Sequence, residues 1–129
     1  MNREVWEFLM GGSRRVIDAW LKEENISPQE RAKLDFAVNQ LRTLDLGLIS
    51  RKLVAGPLRG TKLYKLRLRC RNRELRPLLC RGPIGPGHDC TLLQGAIEVG
   101  DKLKPRDAEE RANEHRETLI SRPTWRAPY

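Results

Sequence analysis

Aromatic residues are scarce in this chain: two Phe, two Tyr and three Trp in 129 positions. Modules that bind single-stranded nucleic acid by stacking bases need aromatics interleaved with their cations. Between residues 51 and 81 only Tyr64 is aromatic, which ranks a plain RNA-binding module last. No apolar run approaches about 20 residues, so no membrane span is expected. The opening MNREVWEFLMGG lacks a signal-peptide core with a small-residue cleavage site, and cytoplasmic residence is the expectation. Cys70, Cys80 and Cys90 are the only cysteines. An odd number in a chain without a signal peptide argues against a disulfide framework, and small buried hydrophobes are expected instead. Cys80, His88 and Cys90 lack the C-x-x-C knuckle of a zinc site, so no metal and no other cofactor is expected.

Acidic residues are missing from one segment in particular. Between Arg51 and Arg81 stand eleven Lys/Arg and one acid, Glu74, a net +10 in a chain whose total is +8. The remaining 98 residues therefore sum to −2. Within the segment, Lys65, Arg67, Arg69 and Arg71 alternate with Tyr64, Leu66, Leu68 and Cys70. A period of two is a β-strand with one apolar and one cationic face, and a row of cations of one sign calls for a polyanion. A merely solvated face would mix the signs.

Around this strand the punctuation is readable. Val5 to Met10 forms a first strand ended by Gly11-Gly12. Ser13 serves as N-cap of a helix with the stripe Val16, Ile17, Trp20 and Leu21. Ser27-Pro28-Gln29-Glu30 is a capping box with Pro at N1, opening a second helix with Leu34, Ala37, Val38 and Leu41 inward and Gly47 at its end. Trp6 and Trp20 are core candidates. The basic strand runs from Leu63 to Arg71, and Asn72-Arg73 turns it into a second strand, Glu74 to Arg81. In that register Arg69 faces Arg76, a like-charge pair costing about 0.2–1 kcal/mol. Pro77 removes a ladder N–H and marks a bulge or an edge. A third strand, Cys90 to Glu98, is apolar on both faces and belongs in the sheet interior. A closing helix begins near Pro105 and places Ala108, Ala112, His115 and Leu119 on one face. Residues 1–120 form one domain, and 121–129, with two prolines, form a loosely ordered tail. The expected fold is α+β: a small antiparallel meander with a helical hairpin and a closing helix, (β)ααβββα.

That order, together with Leu63-Tyr64-Lys65-Leu66-Arg67-Leu68-Arg69, Arg76 in the next strand, the glycine-bearing Leu92-Leu93-Gln94-Gly95-Ala96-Ile97 and then Lys102 and Lys104-Pro105, resembles the RelE/ParE superfamily of bacterial toxins. The similarity is to its HigB-like, phage-derived branch and extends from about Val5 to Ile120. The resemblance implies a RelE-like fold and the toxin of a type II toxin–antitoxin system. Such a toxin inhibits translation as an mRNA endoribonuclease, a metal-independent hydrolase acting on the ribosome. Its implied partners are a cognate antitoxin of helix-turn-helix type, the ribosome and mRNA, with no membrane. Lys65, Arg67 and Arg76 take the catalytic positions by resemblance. Arg69, Arg71, Lys102 and Lys104 take nucleic-acid-binding positions, and His115 is a further candidate. The family's tyrosine or histidine near the last strand or helix has no tyrosine counterpart here, since none follows Lys102 until Tyr129. That departure keeps open the alternative of a non-catalytic or ParE-like member that binds a gyrase-type protein, or nucleic acid, without cutting RNA.

RNA supplies its own nucleophile, the 2′-hydroxyl, so a protein has to orient it, move a proton and stabilise a charged phosphorane. Arginine suits the last task because its fork matches phosphate bidentately. It is a poor base, since its pKa stays above about 12. Lys65 among its neighbouring cations, or a histidine, is the expected proton acceptor.

Overall fold

The computed structural model describes residues 3–44, 49, 51–85 and 89–129. Strand β1 (Val5–Met10) has the bounds that the sequence predicts. Gly11 and Gly12 take φ of +62° and +83°, where a residue without Cβ meets no steric penalty. They return the chain so that β2 (Arg14–Arg15) pairs with the end of β1. Helix α1 (Val16–Glu23) follows at once, and its apolar stripe is buried as expected. Its cap differs from the expected Ser13: the cap residue is Arg15, which caps with no side chain of its own. The buried Glu7 of β1 does that work. Its Oε2 accepts from the Ile17 amide at 3.1 Å and its Oε1 from Arg15 Nη1 at 2.8 Å. A carboxylate at a helix N-terminus is favoured by the helix dipole, and the guanidinium partner compensates its burial.

Helix α2 (Pro28–Thr43) opens on the predicted capping box. Glu30 N donates to Ser27 Oγ at 3.1 Å and Ser27 N to Glu30 Oε1 at 3.0 Å. Leu34, Ala37, Val38 and Leu41 are fully buried. The predicted stop, Gly47, lies outside the described residues; the helix itself ends at Thr43.

The expected meander is present as β4 (Leu63–Leu66), β7 (Leu78–Arg81) and β8 (Cys90–Gln94), each antiparallel to the next. The sheet is mixed, however, rather than wholly antiparallel, because β1 pairs in parallel with β8. With β3 (Val54–Ala55) on one edge and β11 (Arg126–Pro128) on the other, the order is β11-β1-β8-β7-β4-β3. Strand β8 is interior and all five of its residues are buried, as its two-faced apolar run implies.

All three predicted strands break at one level. The first splits at Arg67 into β4 and β5 (Leu68–Arg69), and the second splits at Arg76-Pro77 into β6 (Glu74–Leu75) and β7. The third splits at Gly95-Ala96 into β8 and β9 (Ile97–Val99). The far halves join β10 (Lys102–Lys104) in a second sheet ordered β10-β9-β6-β5. Each break has its cause. The Arg67 amide turns away to Leu53 O at 2.7 Å. Pro77 offers no N–H, and a bulge follows between Leu78 and Leu79. Gly95 lies under the Trp20 indole so closely that a Cβ would stand 2.0 Å from a ring atom.

The hairpin register also differs. Leu68 pairs with Leu75 and Arg69 with Glu74, two residues away from the expected pairing of Arg69 with Arg76. A slip of two preserves the faces, which is why the apolar match could not reveal it. The loop is Cys70 to Arg73, closed by Cys70 N donating to Arg73 O at 3.0 Å. Arg73 fixes it to α2: Nε and Nη2 meet the Glu30 carboxylate at 2.7 and 2.8 Å, and Nη1 donates to Glu24 O at 2.9 Å. Arg71 therefore sits in a loop and is not part of the strand row.

Residues 121–129 are not a loose tail. Helix α3 (Ala108–Ser121) is followed by β11, which pairs Trp6 with Pro128 and Phe8 with Arg126. Pro128 is tolerated because β11 is an edge strand. Trp125 packs back against Gly12, where a Cβ would stand 2.8 Å from the indole nitrogen. Cys80 and Cys90 are fully buried and Cys70 is half-buried, in line with their reading as small hydrophobes. Burial pushes the Cys80 thiol up to about 12, which makes it inert as a nucleophile.

Candidate nucleic-acid interface

The kink gathers basic residues into two adjoining clefts. One, of about 600 Å³, is lined by Lys52, Arg67, Arg69, Glu74, Arg76 and Glu98. The other, of about 300 Å³, sets Lys65, Lys102 and Arg106 beside Glu98, Asp101 and Glu109 in its lining. Glu98 borders both.

Within the larger cleft the cations are not equivalent. Arg67 is exposed, and among the described residues no carboxylate pairs with it. The Arg69 side chain is 87% exposed and touches Glu74 Oε1 through Nε at 3.2 Å. Arg76 is only 7% exposed. Its Nη2 reaches Glu74 Oε2 at 2.9 Å and Glu98 Oε2 at 3.2 Å, while Nη1 donates to Leu75 O at 3.0 Å. Arg76 is therefore not one of an outward-facing row; it is the buried centre of an ion-pair cluster. The expected Arg–Arg repulsion is absent, because the true register sets Arg69 against Glu74.

The two carboxylates of the cluster are directly opposed, Glu74 on β6 against Glu98 on β9. Like charges across a strand pair repel unless something bridges them, and here Arg76 does. The Glu74 carboxyl is held below the ordinary carboxylate range by its contact with the Glu98 side chain, and further by the Arg76 and Arg69 charges. Both glutamates escaped the reading of the sequence as site residues. Glu74 was visible as the only acid of the basic segment, but Glu98 lies seventeen positions beyond that segment. Only the pairing of β6 with β9 brings it in.

Three expected site residues lie elsewhere. Arg71 lines a separate cavity at the start of α2 with Ser27, Lys33 and Arg73. Lys104 is drawn to Glu24 at 3.7 Å and lines a further cavity, of about 550 Å³, with Trp20, Gln94 and His115. His115 is bound into the core: its ring stacks on Phe8 with centroids 4.5 Å apart, and Nδ1 donates to Leu93 O at 2.8 Å. His88 lies outside the described residues. Among the described residues no three His, Cys, Asp or Glu side chains cluster as metal ligands would, and no helix is long and apolar enough to cross a membrane.

Three of the expected residues, Arg67, Arg69 and Arg76, thus share one cleft, and Lys65 and Lys102 share its neighbour. Together the two linings carry seven Lys/Arg side chains against four carboxylates, two of which are the pair that Arg76 bridges. Compared with protein-family models, with curated proteins and with solved structures, the chain matches none.

Proposed function

We propose that the chain is a RelE/ParE-like toxin of a type II toxin–antitoxin pair, and that the paired clefts bind and cut ribosome-bound mRNA. The observation that carries this reading is the convergence of Lys52, Arg67 and Arg69 on one cleft, with Lys65 and Lys102 on the next. Consecutive phosphates of a single strand need such an extended cationic track. Exposed guanidiniums can follow the charge that spreads over the phosphorane oxygens. The nucleophile is the substrate's own 2′-hydroxyl, so the reaction needs orientation, charge stabilisation and proton transfer from the protein.

The order of β1, the α1–α2 hairpin, the β4–β7–β8 meander and α3 supports the same reading, since it retains the (β)ααβββα sequence. A cytoplasmic antitoxin of helix-turn-helix type is the proposed partner. It would neutralise the toxin by laying an acidic or apolar segment over the groove. Primer extension on translated mRNA, with and without the chain expressed, tests this: codon-phased cuts are expected, and their absence refutes the nuclease.

A second reading is favoured by one observation. His115 is committed to Phe8 and Leu93 in a different cavity, so it brings no imidazole to the groove. A ParE-like, non-cutting member would bind a gyrase-type protein or nucleic acid through the same cations. It would inhibit growth without codon-phased cuts.

A further inference from the structure

We propose that Glu98 is the proton acceptor of the groove and that Arg76 is the positioning residue that holds it. This rests on the nuclease reading above. It resolves a difficulty in that reading: a site made of guanidiniums grips phosphate but cannot take up a proton.

Glu98 is chosen over Glu74 by geometry. Both oxygens of Glu74 are engaged by cations, Oε1 by Arg69 and Oε2 by Arg76. In Glu98, among the described residues, only Oε2 is held by a cation. Glu98 also borders both clefts, so a ribose whose flanking phosphates occupy the two clefts would lie over its carboxylate. Arg76 is buried and meets no solvent-facing phosphate. Its fork closes on Leu75 O and on the two carboxylates, which fixes the acceptor against the repulsion of its opposed partner.

In the proposed step the O2′–H bond breaks as its proton passes to a Glu98 oxygen, and the freed electron pair forms the O2′–P bond. The P–O5′ bond breaks, and its electron pair takes a proton from the Lys65 ammonium, which lines the cleft that Glu98 borders. The products are a 2′,3′-cyclic phosphate and a 5′-hydroxyl, and solvent returns the proton from Glu98 to Lys65. Lys65 is then the acid of the reaction rather than its base.

The test uses the full chain and programmed ribosomes, measuring cleavage of an mRNA and, separately, binding of the same mRNA with a 2′-deoxy nucleotide at the cut. Glu98→Gln keeps shape and hydrogen bonding but lowers basicity. It is expected to lose about 10²–10⁴-fold in cleavage rate, with binding retained or tightened by removal of a negative charge. Glu98→Asp, which keeps the carboxylate but withdraws it, is expected to fall between the two and guards against a folding defect. Arg76→Lys is expected to lower kcat with KM held within about twofold; a phosphate-gripping arginine would raise KM instead. Parent-like cleavage by Glu98→Gln, beside an active parent, overturns the inference and leaves the nuclease reading standing. A parent chain that binds but never cuts overturns the nuclease reading, and the proton acceptor falls with it.

Discussion

Arg67 and Arg76 carry the same charge and line the same cleft, yet their substitution should have opposite consequences. Arg67 is exposed, so Arg67→Ala should leave the thermal midpoint nearly unchanged while weakening RNA binding. Arg76 is buried between two carboxylates. Removing a buried partner leaves uncompensated charge, a loss on the order of 3–5 kcal/mol. Because Glu74 and Glu98 keep some exposure to water, about 2–3 kcal/mol is the expectation for Arg76→Ala by denaturant titration. Equal stability of the two variants would refute the assignment of Arg76 to the cluster. Glu30 offers a second test. The Arg73 hydrogen bond, with Ser27 and the Arg73 charge assisting against desolvation, holds its carboxyl down at about 2, against 4.5 unperturbed. A depressed carboxyl contributes stability above its unfolded value and loses it as pH falls through the folded one. Stability should therefore decline between pH 4.5 and about 2, by on the order of 1–2 kcal/mol after screening. Arg73→Ala should flatten that part of the pH–stability curve; an unchanged slope would detach Glu30 from the effect.

Secondary-structure elements were legible in the sequence wherever one periodic face met a local signal. The capping box of α2, the bounds of β1 and the interior character of β8 all follow from residues within a few positions of each other. Long-range pairing was not legible. Residues 5–10 read as a strand, but nothing in them says that the neighbour is β8 and that the pairing is parallel. The basic strand read as continuous because alternation does not register a kink, and the two-residue register slip left every apolar match intact. Gly95 is the clearest case. In sequence it is a small residue within a strand; in the fold it is the only residue type that fits beneath the Trp20 indole, with ring atoms 2.0, 2.1 and 2.6 Å from a would-be Cβ. Gly95→Ala should therefore cost about 3 kcal/mol or more, the upper end of overpacking penalties, and should disturb both clefts, since the bend at Gly95 and Ala96 separates β8 from β9. A thermal melt with parallel RNA-binding measurements checks this, and a neutral Gly95→Ala would show that the bend does not depend on that contact. Strand β11 makes a similar point: truncation before Thr124 strips the partner from one edge of β1. An uncovered edge invites pairing with other chains, so the truncated chain should elute from size exclusion as larger, heterogeneous species.

At the scale of the whole molecule, the segregated charge of the sequence is less available than its sum suggests. The basic segment carries +10, but the fold spends Arg73 on Glu30, Arg76 on Glu74 and Glu98, and sends Arg71 to another cavity. Lining the groove are Lys52, Arg67 and Arg69 on one side of Glu98, with Lys65, Lys102 and Arg106 on the other. Glu74, Glu98, Asp101 and Glu109 offset part of that. Binding of single-stranded RNA releases one counterion equivalent per neutralised phosphate with a slope near −0.7 each, so three to four phosphates predict a log–log salt slope of about −2 to −3. A segment acting with its full formal charge would give about −7. The measurement is fluorescence anisotropy of a short RNA, carrying 2′-deoxy nucleotides to prevent cutting, titrated from about 50 to 200 mM salt, the range over which such contacts lose most of their affinity. Arg67→Ala should make the slope shallower by about 0.7, and Arg71→Ala should leave it unchanged because its side chain lies outside the groove. A steep slope sensitive to Arg71 would mean that the charge acts as one diffuse patch, and that the kink and the two clefts it makes do not choose where the RNA lies.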